Sequence, residues 1–330
     1  MKHRRAALGT MIAALAVIAG ILAASLYAAR AADRDAAGAA GENDADLSRL
    51  TAQYRRPTAI LFPADNPYSP DREILGKTLF FDPRLSRSGI VACATCHHPA
   101  FSWSDGLPRA IGHGMQRLGR RTPTLLNLAW AGLLFWDGRA RTLEEQALGP
   151  IEAPAEMNMP ITEVVAALSR IEGYRALFGR AYPGERITPG TIGKALATFE
   201  RTIVSGMAPF DRWIAGDWTA ISPSARRGFV LFNTRARCAA CHSSWTFTDG
   251  SFHDIGLAGE DPGRGKLLPR ILTMQHAFKT PTLRNVDRRS PYMHDGSVRD
   301  LEEVLDLYDR GADVRRPSLS LEIRPSPALA

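Results

Sequence analysis

Two short runs hold the reactive side chains of this 330-residue chain: Cys93-Ala94-Thr95-Cys96-His97 and Cys238-Ala239-Ala240-Cys241-His242. On one helical turn, cysteines at i and i+3 share a face and can reach the two vinyl groups of one haem. A histidine directly after the second cysteine then lies under the iron as its proximal ligand. Cys-x-x-Cys-His therefore reads as a c-type haem attachment site. A zinc ribbon and a thiol-redox pair are the alternative chemistries. Structural zinc pairs usually stand within a few tens of residues of each other, whereas these runs lie 145 apart. A redox Cys-x-x-Cys has no use for the trailing histidine. These are the only four cysteines, so two covalent haem c groups would use them all and leave no disulfide.

Such chemistry belongs outside the cytoplasm, and the N-terminus agrees. Lys2, Arg4 and Arg5 precede an apolar run from Ala6 to Ala29. Residues 1–31 read as an export signal, or as an N-terminal membrane anchor if retained, since the run is long enough to span a bilayer. Either way the body faces the periplasm, soluble or tethered to the inner membrane. The net charge of +7 is concentrated there. Lys2, Arg4, Arg5 and Arg30 face no acid in that segment, leaving 37 basic against 34 acidic residues, or +3, beyond it. That excludes a nucleic-acid footprint. Residues 32–50, rich in Ala, Gly, Asp and Glu, read as a flexible linker.

The elements that must position the two motifs read as mainly α. From Asp71, a helix with Ile74, Leu75, Thr78 and Leu79 on one face ends near Phe81-Asp82-Pro83. Gly76-x-x-Leu79-Phe80 before the first motif is echoed by Gly228-x-x-Leu231-Phe232 before the second. The echo predicts two cytochrome c-like haem domains in tandem, residues 51–215 and 216–330. Thr142 and Glu145 form a capping box for a short helix that Gly149-Pro150 breaks. The stretch through Pro154 and Pro160 is loop. Ile161 to Phe178 and Ile192 to Val204 have helical spacing. Ser297 to Asp300 has the form of another capping box, and Leu301, Val304, Leu305 and Tyr308 then recur on an inward face.

Further runs, added to the two motifs, resemble the bacterial dihaem cytochrome c peroxidases and their MauG-like relatives over roughly residues 71 to 325. They are Ala110-Ile111-Gly112-His113-Gly114, Phe135-Trp136-Asp137-Gly138-Arg139-Ala140, Glu145-Gln146-Ala147-Leu148-Gly149-Pro150, Thr280-Pro281-Thr282-Leu283-Arg284-Asn285 and Pro291-Tyr292-Met293-His294-Asp295-Gly296. The resemblance implies that peroxide reacts at the first haem, ligated by His97, and that the second, ligated by His242, relays electrons. His113 then matches a distal histidine, which its glycine neighbours would let swing away. Trp136 matches the tryptophan between the haems. Glu156 matches the distal acid-base residue and Gln146 its hydrogen-bonding partner. Arg139 could pair with a haem propionate.

Three departures stand out. Tyr308 falls where the peroxidases have methionine, implying a His/Tyr relay haem, with Met274 and Met293 as nearby alternatives. Arg121 replaces an asparagine that binds calcium in the family, and a guanidinium cannot ligate calcium, so the resemblance does not carry that ion over. Relatives continue after a run like Leu321-Glu322-Ile323 into a terminal helix, so the resemblance implies either that this helix is dispensable here or that this chain is truncated, with its second haem less well shielded. The leading expectation is a peroxidase reducing hydrogen peroxide with electrons from a small periplasmic donor, a monohaem cytochrome c or a cupredoxin. A MauG-like enzyme oxidising side chains of a partner protein is the alternative, and a non-catalytic electron carrier or redox sensor is a third. The family often dimerises, and a homodimer is compatible with the sequence.

Overall fold

Helix α1 (Pro70–Phe80) begins where Ser69 accepts the Arg72 N–H and Pro70 supplies a pre-set φ. It buries Leu75, Gly76, Leu79 and Phe80. Ile74, 51% exposed, and Thr78 point outward, so the buried face is turned one residue from the expected one. Gly76 sets the close crossing with a later helix, α7 (Pro189–Thr202): a Cβ there would lie 2.0 Å from the Ala195 carbonyl oxygen. Between them come the single turn α2 (Cys93–Cys96), the short helices α3 (Leu143–Gln146) and α4 (Gly149–Glu152), and the packed pair α5 (Ile161–Arg170) and α6 (Glu172–Ala181). Ile171, with ψ of 115°, breaks that pair into two helices. Helices α8 (Pro209–Ile214), α9 (Pro223–Asn233) and α10 (Leu301–Arg310) follow.

The computed structural model describes residues 49–323. The signal or anchor segment 1–31 and most of the linker lie outside them. The chain divides after Gln53, and from Tyr54 onward it is one compact unit. Among the described residues no helix is long and apolar enough to cross a membrane. Strand is limited there to Phe252–His253 pairing antiparallel with Phe278–Lys279, so the mainly α expectation holds.

A repeat far longer than the glycine echo runs through this unit. Thr122-Pro123-Thr124-Leu125-Leu126-Asn127 returns 158 positions later as Thr280-Pro281-Thr282-Leu283-Arg284-Asn285. Asn127 and Asn285 are both left-handed, at φ 65° and 55°, and each opens a short 3₁₀ turn. In the same register, a loop closed by Leu134 and Ala140 matches one closed by Tyr292 and Val298. The helix starts match as well. Thr142 caps α3 by accepting the Glu145 N–H, and Asp300 caps α10 by accepting the Glu303 N–H. Glu145 and Glu303 each reach back to the N–H of the residue before the cap, Arg141 and Arg299. The N-cap of α10 is thus Asp300, not Ser297: the helix begins at Leu301, and the residue directly before it is the one whose side chain can accept the Glu303 amide.

The two halves of the repeat are packed differently. Around the first, Leu75, Phe80, Leu168, Phe178, Ile192 and Leu196 belong to a continuous apolar core. Around the second, the buried cluster is Leu257, Tyr292, Val298 and Leu307. Gly76 is pressed against α7, whereas a Cβ on Gly228 would meet nothing, so the Gly-x-x-Leu-Phe echo is spelled alike but packed unlike. Gly76→Ala is therefore expected to lower stability by roughly 1–3 kcal/mol through overpacking, read as a lower urea midpoint. Gly228→Ala should leave the midpoint unchanged or raise it, since it adds helix propensity without a clash.

Candidate functional site

Each Cys-x-x-Cys-His run forms one tight turn. The His97 N–H bonds to Cys93 O at 2.9 Å and the His242 N–H to Cys238 O at 2.8 Å. Each imidazole then meets a carbonyl a few residues on: His97 Nδ1 lies 3.2 Å from Trp103 O, and His242 Nδ1 lies 3.0 Å from Phe247 O. A carbonyl only accepts, so the proton sits on Nδ1 and the Nε2 lone pair is free for a metal. Burial lowers both histidine pKa values, which favours the neutral, ligating form. Burial also pushes the Cys93 and Cys96 thiols up to about 12. That is the reverse of the lowered pKa a redox Cys-x-x-Cys requires.

The second motif opens onto a cavity of about 930 Å³. Cys238, Cys241, His242, Trp136, Met293 and Tyr308 stand on its wall. Leu301, Val304 and Leu305 of α10 line it too, so the inward face expected of that helix borders a cavity rather than packed side chains. A space of that size, mostly apolar and with a thiol pair and a free imidazole on its wall, suits a macrocycle. Tyr308 lies beside both cysteines, and burial raises its phenol above the ordinary value. Met274 is not on this wall.

At the first motif the donor set is the same, but the enclosed space is only about 50 Å³. A macrocycle there must part the side chains around it or use the open side of the motif. Cys93, Cys96, His97, Gln146, Pro150 and Glu156 border this space, bringing the expected acid-base residue and its amide partner together. Burial raises the Glu156 pKa, opposed by the charge of Arg139. The His113 loop leans on the same turn: its N–H reaches Ala155 O and Glu156 O, and a Cβ on Gly112 would lie 2.1 Å from Ala155 O. His113 Nδ1 is buried with no hydrogen-bond partner. Gly114 at φ 63° and Met115 at φ 61° hold the loop in left-handed backbone, which a methionine adopts only under constraint.

The remaining expected residues have other surroundings. Trp136 donates Nε1–H to Arg121 O at 2.8 Å, and its ring lies 6.5 Å from that of His294. Arg139 pairs with Asp137 at 3.0 Å and stacks over Phe135. Arg121 is buried, bonds Arg289 O through Nη2, and keeps its Nε unpartnered.

Several further polar groups line or adjoin the two cavities. His253 Nε2 lies 2.8 Å from Asp249 Oδ2 on the second cavity wall, which pushes the histidine up to about 10, and i,i+4 spacing hinted at the pair. Lys279 bonds Leu133 O at 2.8 Å, and burial brings it down to about 8. Glu200 borders the first cavity from α7. It is acidic in a stretch buried from Ala195 to Arg201, a setting that only the packing of α7 reveals.

The register of the repeat joins the two cavities: Pro150 on the first wall and Tyr308 on the second occupy equivalent positions, 158 apart. One offers no donor where the other offers a phenol.

Residues 70–219 match the family model of the di-haem cytochrome c peroxidases. The chain is 53% identical over 308 residues to the methylamine utilization protein MauG of Methylorubrum extorquens, spanning 92% of this chain and 87% of that one. It is 54% identical over 275 residues to the protein of the same name from Methylophilus methylotrophus, 82% of each. The crystal structure of a MauG-like protein associated with microbial copper homeostasis has a TM-score of 0.75 at 30% identity, over 83% of this chain and 89% of that chain. The chain belongs to the di-haem cytochrome c peroxidase family, whose members include proteins named MauG as well as cytochrome c peroxidases.

Proposed function

We propose that this chain is a periplasm-facing enzyme that takes hydrogen peroxide as oxidant at its first motif and exchanges electrons with a partner protein through its second. The cysteines of each motif would hold a haem c covalently, with His97 and His242 as proximal ligands. When bound, haem supplies the iron at which the O–O bond of peroxide is cleaved. What this chain supplies is a carboxylate, Glu156, held by burial with Gln146 on the same cavity wall, to carry a proton from one peroxide oxygen to the other. Domain limits of 51–215 and 216–330 are part of this reading. The repeat of turn, loop and capped helix in one register supports them.

Between the two activities of the family, the finer reading is MauG-type: oxidation of side chains on a partner protein. The Pro150–Tyr308 pair carries it. A phenolate is a hard, anionic donor that stabilises ferric iron, in contrast to the thioether of methionine. Buried among apolar walls the phenol stays protonated, and only a cation in the cavity would draw the proton off. Relatives named for methylamine utilization at 53–54% identity give the same reading its biological setting. Peroxide reduction with a small electron donor is the second reading, favoured by His113, whose unpartnered Nδ1 sits beside the Glu156 turn. The two separate in stopped-flow spectra. The MauG-type reading expects the fully oxidised protein to react with peroxide at once. Reaction only after one-electron reduction would replace it with the peroxidase reading.

Glu156→Gln should slow turnover of peroxide by ~10²–10⁴ while leaving haem content unchanged, as loss of a positioned acid-base group does. Turnover equal to wild type would remove Glu156 from the mechanism. We also propose that the Arg121 guanidinium takes the place of a calcium ion. Metal analysis of purified protein should find no stoichiometric calcium, and a chelator should leave the haem spectrum unchanged.

A further inference from the structure

Glu200 has no role in the reading above, yet its surroundings are those of a working acid. It is 5% exposed, borders the first cavity together with Cys93, Gln146 and Glu156, and its Oε2 has no hydrogen-bond partner. Arg201, next to it in sequence, draws its pKa down but forms no ion pair with it. Arg201 spends its guanidinium on Glu144, at 2.6 and 3.0 Å. The charged and titratable groups around Glu200 are therefore Arg201, already paired, and Glu144, with Cys93, Cys96, Glu156 and a His97 kept neutral by burial on the same cavity wall. A carboxylate so placed is costly to ionise, and burial pushes this one up to about 8.

The chemistry at this cavity has a use for a second acid. Reducing hydrogen peroxide breaks one O–O bond and consumes two electrons and two protons to form two waters. A carboxylate that only moves a proton between the peroxide oxygens adds none. The electrons come from the partner protein, and the protons must enter a closed space. We propose that Glu200 is the proton donor of the first haem site, a neutral acid that releases its proton toward the cavity as the electrons arrive and is reprotonated from solvent. The packing of α7 fixes it there: Gly76 lies against Ala195 O and Gly193 against Glu144 O, so the helix cannot slide without a clash. This rests on the peroxide reading above.

The test compares the haem-loaded wild type with Glu200→Gln and Glu200→Asp, using haem content and the ferric absorbance spectrum as the check on folding. Infrared spectra at neutral pH should show the carbonyl stretch of a protonated carboxylic acid that is lost in Glu200→Gln and retained in Glu156→Gln. Single-turnover recovery after one equivalent of peroxide should slow on the order of 10²-fold in Glu200→Gln. Glu200→Asp should recover part of the rate, and in heavy water the wild type should show an isotope effect that Glu200→Gln alters. An acid band that survives in Glu200→Gln overturns the proposal, as does recovery at the wild-type rate in a variant that has lost the band. A wild type inert to peroxide overturns the peroxide reading instead, and the infrared band then reports on Glu200 alone.

Discussion

The bond on which both sites depend is the one from each motif histidine to a backbone carbonyl, His97 to Trp103 and His242 to Phe247. A Cys-x-x-Cys turn alone leaves the imidazole free to rotate and to choose its tautomer. Giving the Nδ1 proton to a fixed acceptor removes both freedoms and aims Nε2 at the metal position. The segments that follow each motif are shaped to bring that acceptor back, through left-handed residues at Trp103 and Phe247 themselves, φ 60° and 54°. The backbone conformation there is uncommon for large aromatic residues, and the proximal bond is what it achieves.

From that shared start the halves diverge in how they are held. The first is a packed helical body, with α1 and α7 crossing closely at Gly76 and the motif on its flank. The second is arranged around a cavity of about 930 Å³, with α10 lining it and a small apolar cluster beside it. In the second half the apolar surface that would otherwise form a core faces the cavity, so a covalently attached macrocycle would serve as its core. Ion pairs tie this half to the rest. Arg284, in the repeated Thr-Pro-Thr-Leu segment, bonds Asp211 of α8 at 2.9 Å and Trp245 O at 2.7 Å. Arg120 bridges Asp137 and Asp261.

Much of this was legible in the residues. The two Cys-x-x-Cys-His turns, the helix starting near Asp71, the inward face ending at Tyr308, and the placing of Glu156 and Gln146 on one cavity wall all follow from spacing or from matched runs. What was not legible depended on three-dimensional neighbours. Thr78 and Ile74 have the right period for the buried face, but Gly76 decides the rotation of α1 because α7 can approach only there. The Ser297 cap fits a pattern that Asp300 fits one turn better once the backbone is placed. The longer repeat is spelled in identities, Thr-Pro-Thr-Leu-x-Asn, Asp-Gly and Leu-Glu-Glu recurring 158 positions on, but its meaning lies in shared backbone form: left-handed asparagines, closed loops and doubly capped helix starts, kept even where Trp136 stands against His294 and Pro150 against Tyr308. Glu200 does not stand out in the sequence because an acid within a helix is usually a solvated one, and only packing shows otherwise.

The central claim is that two like-built haem sites are made unequal by one residue, Tyr308, set opposite Pro150 in the repeat. Electron paramagnetic resonance of the fully oxidised, haem-loaded protein tests it most directly. The wild type should give two distinct ferric signals. Tyr308→Phe should change the signal of the second haem alone, leaving that of the first in place. Spectra of wild type and Tyr308→Phe that coincide would show that Tyr308 does not ligate, and would contradict the account.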